Sequence, residues 1–158
     1  MAINLSTAGI KVYYAQETTE GIMPTSVKTE ITGLKSIPSL NPEPETLETT
    51  TLAETEYKTY IDGLKDTGGA LAFGANLTQE FMDNWDALME AYETAKESNL
   101  ATWFYIVVPG LSKACAFTGN PSALGLPAAN VSAVLETEAY ITPTNAPAWV
   151  TKPTVTAA

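Results

Sequence analysis

A mainly β fold with one α-helix, a β-sandwich or barrel with the helix packed against it, is what this sequence predicts, and three patterns carry the prediction. Residues 70–77, ALAFGANL, set Leu71, Phe73, Ala75 and Leu77 against smaller or polar neighbours, the period of a half-buried strand. Residues 132–142 alternate in the same way, with Ala133, Leu135, Thr137, Ala139 and Ile141 on one side. Residues 79–98 repeat at helical spacing instead, with Phe81, Trp85, Leu88, Tyr92 and Ala95 in one stripe. Ten prolines and ten glycines, among many Thr and Val, supply the turns and strand formers such a fold needs. A chain of 158 residues is enough for one domain with a real core.

The elements follow in order. Residues 1–8 read as a short arm. Residues 10–16 are the first strand, with Ile10, Val12 and Tyr14 on one face. A polar connection leads to a short strand at 27–31, and Thr32-Gly33 breaks it. A third strand at 34–40 contains Pro38, which marks an edge or a bend. Residues 41–69 are long, rich in Thr and Glu, and poor in bulky apolar groups. The prolines of NPEPETLETTT keep its first half extended. LAETEYKTYI alternates weakly and can pair once a neighbour offers an edge. Asp62-Gly63 and Gly68-Gly69 are turn signals.

After the 70–77 strand, Thr78 is the expected N-cap of the helix, Glu80 favours its dipole, and Asn99 stops it. Asp83, Asp86, Glu90, Glu93 and Glu97 form a second stripe. Asp83 lies about 200° around from Phe81 at roughly 100° per residue, so the acidic stripe faces away from the apolar one. WFYIVV at 103–108 is apolar on both faces, as a central strand is. Residues 114–118 form a further strand, 120–130 hold turns, and 132–142 form the last long strand. Residues 143–158, rich in Pro and Thr, are expected to be a flexible tail. The domain proper is therefore 1–142.

Composition excludes several chemistries. Without His there is no Ser-His-Asp or Cys-His catalysis and no His-based metal site. One cysteine, Cys115, allows neither an internal disulfide nor a zinc site, and inside KACAF it reads as a small buried hydrophobe. No phosphate-binding loop is present. Asp62 to Asp66 lacks the spacing and closing Glu of a calcium loop and reads as a plain turn. The triplets Asn76-Leu77-Thr78 and Asn130-Val131-Ser132 match the glycosylation pattern only by chance. Paired carboxylates remain as a catalytic option, but on the helix they read as a solvated or partner-facing stripe. No cofactor and no metal are expected, and the chain is not expected to be an enzyme. A net charge of −10 argues against gripping nucleic acid, though a wall that repels DNA suits a channel that passes it. No apolar run approaches the roughly 20 residues that span a bilayer. The first 16 residues lack the basic start and apolar run of a signal peptide, so folding in a reducing cytoplasm is expected.

The order PETLETTTL, then YIDGLKDTG, then an alternating strand and an amphipathic helix resembles the tail tube (major tail) proteins of long-tailed, siphovirus-type bacteriophages. The resemblance spans about residues 11–141 and is sharpest at 37–77. It implies a β-sandwich with a flanking helix and a long inter-subunit loop, here residues 41–69. It implies hexameric rings that stack into a virion tail tube, assembled in the host cytoplasm, whose lumen passes viral DNA without binding it specifically. The implied partners are the chain itself, the tape measure protein, the tail terminator and the distal tail or baseplate initiator proteins, with no membrane. Within the loop, Leu47, Leu52, Tyr57, Tyr60 and Ile61 are too few to form a core and fit a segment that orders on assembly. If the last strand joins a closed barrel, its alternate residues Glu136 and Glu138 face the lumen; facing the outside of the tube is the open alternative.

Two other readings stand beside this one. A non-catalytic β-sandwich binding module, either a virion decoration protein or an adhesin, would stay monomeric and bind a capsid or glycan. Trp103, Phe104 and Tyr105 would be its platform, although core packing is the plainer role for them. A small acid-base hydrolase would need two carboxylates converging in a cleft.

Overall fold

The computed structural model describes residues 4–27, 29–65 and 69–155. It divides the chain into two compact units. One comprises Met1–Pro38 with Ala70–Ala158, and the other is Ser39–Gly69. In chain order the strands are β1 (Lys11–Gln16), β2 (Ser26–Val27), β3 (Thr29–Ile31), β4 (Leu34–Ser36), β5 (Pro44–Glu48), β6 (Tyr60–Lys65) and β7 (Leu71–Asn76). Helix α1 (Gln79–Glu97) follows, then β8 (Thr102–Val107), β9 (Lys113–Pro121), β10 (Glu136–Pro143), β11 (Ala148–Thr151) and β12 (Thr154–Val155).

The larger unit is mainly β with a single helix, as the three patterns predict. Its main sheet runs β3-β1-β8-β9-β10-β7-β4, with β11 added to β9. Only Thr32 and Gly33 separate β3 from β4, the two ends of this order. The sheet therefore curls back on itself into a nearly closed barrel or sandwich. Gly33 takes φ +82° at that corner, a conformation other L-residues resist. The apolar run at 103–108 is the central strand expected, paired with β1 on one side and β9 on the other. β9 changes partner along one edge, meeting β11 at 113–116 and β10 at 119–121. A Cβ on Gly119 would stand 2.7 Å from Ile141 Cγ2, so the crossing of β9 and β10 needs a residue with no side chain.

Strand register explains the core. Val12 pairs with Ile106, Tyr14 with Phe104, Phe104 with Phe117, and Ile106 with Cys115. Leu71 pairs with Ile141, Phe73 with Ala139, and Ala75 with Thr137. All of these are buried, as are Phe81, Trp85, Leu88 and Ala95 of α1, which lies against β1, β3 and β9. Cys115 is the buried hydrophobe expected, and burial raises its thiol pKa. Thr78 caps α1 by accepting from the Phe81 amide at 3.1 Å, and Asn99 leaves the helix at φ +57°. Trp85 Nε1 donates to the Ser122 carbonyl at 2.8 Å.

The opposite face carries a second cluster of Tyr13, Val27, Tyr105 and Ala116, flanked by Ala15, Met23, Trp103, Val107 and Val150. Glu17 is buried beside it and accepts from Trp103 Nε1 at 2.9 Å, the Ala101 amide at 2.9 Å and the Gly21 amide at 3.3 Å. Burial pushes the Glu17 pKa up, but the three donors outweigh it and hold the carboxyl below its ordinary value. Burial first, and the charge of Glu17 second, push the Tyr105 phenol up to about 12.

Several expectations need correction. The tail expected to be flexible forms two strands. β11 pairs antiparallel with β9, and β12 pairs parallel with β2. The edge of β9 beyond β10 is open for a strand, and Trp149 and Val150 are good strand formers. The last long strand begins at Glu136, not at 132. Ser132 sits at φ +61°, which breaks an extended run, and Leu135 is 38% exposed instead of core. The third strand stops at Ser36, before Pro38. Tyr92 is only half-buried, with Lys96 Nζ 5.9 Å from its ring centroid.

Within Ser39–Gly69, β5 and β6 form an antiparallel hairpin. Of LAETEYKTYI, expected to pair as a strand, only Tyr60 and Ile61 do so, against Glu48 and Leu47 of PETLE; residues 52–59 lie outside any strand and belong to the connection. Asp62-Gly63 is no turn: both residues lie inside β6. The register slips between Pro44 and Thr46, and a Cβ on Gly63 would meet the Glu45 carbonyl oxygen at 3.1 Å. The glycine serves a bulge with close backbone approach. Gly68, of the second turn signal, lies outside the described residues, as do Asp66 of the supposed calcium loop and the first three residues of the arm.

Candidate functional site

The hairpin is the first candidate surface. None of the described residues of Ser39–Gly69 is buried. Leu47, Tyr60 and Ile61 are about half exposed, and Leu52 and Tyr57 are almost wholly so. Leu64 is equally open and belongs with them; its place beside a bulge hides it from any alternation pattern. An isolated two-stranded hairpin is marginal in water, and this one has no core of its own.

The pairing register gives the hairpin two unlike faces. Leu47 stands opposite Ile61, and the next pair outward is Thr49 with Thr59, whose hydroxyls lie 3.0 Å apart. Toward the turn this face meets the Glu54 carboxylate, which accepts from the Thr59 hydroxyl at 3.2 Å. The other face carries Thr46 opposite Asp62 and Glu48 opposite Tyr60. The sequence shows the five apolar residues but not this division, because the register depends on the bulge.

The second candidate surface is the outer side of β10 and β7. Burial alternates along β10, so Glu136, Glu138 and Tyr140 point away from the core. Lys35 of β4 forms an ion pair with Glu136. The Tyr140 hydroxyl donates to Glu138 at 2.8 Å, and this hydrogen bond, then the charge, raises the Tyr140 pKa. An open groove of about 710 Å³ lies here, with residues 125–128 lining it opposite Glu136, Glu138 and Tyr140. The structure thus brings the two glutamates onto one side, each already partnered.

The acidic stripe of α1 is exposed at Asp83, Asp86, Glu90, Glu93 and Glu97. Among the described residues no group of three acidic, Cys or His side chains is placed to hold a metal. Phe104 and Tyr105 are fully buried and Trp103 is half-buried against Glu17, so these aromatics pack the core and form no open platform. No helix among the described residues is long and apolar enough to cross a membrane. No family model and no curated protein matches the chain.

Proposed function

We propose that this chain is a non-catalytic structural subunit that assembles with copies of itself, in the manner of a phage tail tube: hexameric rings, stacked, around a lumen that passes DNA. One observation carries the reading. A 31-residue unit, Ser39–Gly69, exposes six large apolar side chains and buries none of its described residues. Such a surface is costly in water unless a partner covers it. The nearly closed barrel with one flanking helix is compatible with the tube role, and net charge −10 suits a conduit that must not hold DNA. Tape measure, terminator and initiator proteins are the further partners this role requires.

Negative-stain electron microscopy of concentrated protein tests it. Rings or tubes are the expected result. A non-catalytic binding module, such as a decoration protein or adhesin, is the competing reading, and it would leave monomers that bind a capsid or glycan.

A further inference from the structure

The main sheet runs from β3 to β4 without β2 or β12, and β11 hangs from it at β9 alone. β2 and β12 form a separate two-stranded sheet. An isolated two-stranded pair is marginal in water, so these strands depend on what else holds them down. Residues 148–155 bring little of their own. Pro153 is buried, Val150 and Lys152 are half-buried, and the other five are exposed. The connection 17–25 supplies the hold. Glu17 ties it to the start of β8 by accepting from the Ala101 amide and Trp103 Nε1, and the Gly21 amide donates to the same carboxylate. The Tyr105 hydroxyl, also of β8, donates to the Pro24 carbonyl. The next residue, Thr25, accepts from the Thr154 amide at 2.8 Å, and Ser26 and Val27 pair with Thr154 and Val155. A continuous set of contacts therefore runs from Glu17 to β12.

We infer that residues 17–27 and 146–155 open and close as one unit, a strap over the β9 edge and the Tyr105 cluster, with Glu17 as its latch. The device belongs to the single chain and does not rest on assembly. Breaking the bonds of the Glu17 carboxylate frees the connection, and the connection carries β2. β12 then loses its partner strand, and β11 is left with one ladder to β9 and the packing of Val150 on the Tyr105 cluster. Thr144 and Asn145 are the hinge, since both are hydrogen-bonded to Thr118. The barrel does not need the strap, because β8 keeps β1 on one side and β9 on the other. Opening is therefore local, at a free energy below that of global unfolding. It unpairs the β9 edge at 113–116. A bare edge is a template for another strand, so the closed strap guards the chain against edge-to-edge pairing.

Amide hydrogen exchange of the unassembled full chain, read residue by residue by NMR, tests it. The amides of Thr154 and Gly21 should share one protection factor. It should lie below that of β8 and β10 and change little with urea, as a local opening does. Glu17→Gln should speed exchange at Thr154 roughly tenfold, although the two residues lie on different strands of the strap. Coupling is reciprocal, so Val150→Ala should in return speed exchange at Gly21 and Ala101. That second variant leaves the latch intact and decides the matter if the Glu17 variant fails to fold. Protection at Thr154 with the size and urea dependence of the β8 amides would show that no separate unit exists. Fast exchange at Thr154 that Glu17→Gln leaves unchanged, or exchange at Gly21 that Val150→Ala leaves unchanged, would show a fraying end without a latch. Each of these results overturns the inference.

Discussion

Glu17 is the residue whose surroundings make the sharpest claim about stability. Three hydrogen bonds hold its carboxylate, so its folded pKa lies below the unfolded value of about 4.3. A depressed carboxyl contributes stability that is fully present above the unfolded pKa and is lost as pH falls through the folded pKa. Glu17→Gln keeps the shape but puts an amide where the carboxylate accepts from three donors. The variant should lose about 1–3 kcal/mol at pH 7. The deficit should shrink as acid removes the contribution in the native protein. Urea unfolding at pH 7 and below pH 4 measures this. An equal deficit at both pH values would show that the charge is irrelevant. Little of this was legible in the sequence. Glu17 lies in a polar stretch, and its donors come from Gly21 nearby and from residues 101 and 103, more than 80 positions away.

At the scale of elements, the strong local signals survive. The helix is long, capped by Thr78 and amphipathic, and it forms within a residue of the predicted bounds. The strand at 70–77 alternates cleanly and is found as β7. What failed depended on partners distant in sequence or on single backbone angles. Alternation from 132 to 142 continues through Ser132, yet one positive φ removes the first four residues from the strand. Nothing local announces that Ala148–Thr151 pairs with β9. That pairing is expected to matter. Truncation before Ala148 removes β11 and uncovers the cluster around Tyr105, and it should cost on the order of 2 kcal/mol by lost burial of Val150 and Pro153. A thermal midpoint unchanged by the truncation would restore the view of a passive tail. The hairpin makes the opposite prediction. Deleting residues 45–57 removes no buried group and should leave a folded monomer that cannot form tubes. Circular dichroism and size-exclusion chromatography follow both properties. Unfolding of the monomer would make the segment part of the core.

For the whole molecule, charge and assembly are the quantities that matter. If the β10 face lines a lumen, Glu136→Lys with Glu138→Lys turns part of a repelling wall into an attracting one. The change breaks an exposed ion pair with Lys35, worth roughly 0–1 kcal/mol, and an exposed hydrogen bond from Tyr140, so tubes should still form while DNA passage slows. Unchanged ejection rates from virions carrying the variant would place these glutamates elsewhere. Self-assembly itself is the central claim, because it would cover the exposed apolar side chains of the hairpin. Electron microscopy of the concentrated protein, with the tail initiator supplied, is its most direct measurement. Rings stacking into tubes are expected. Monomers that persist under every assembly condition would contradict it.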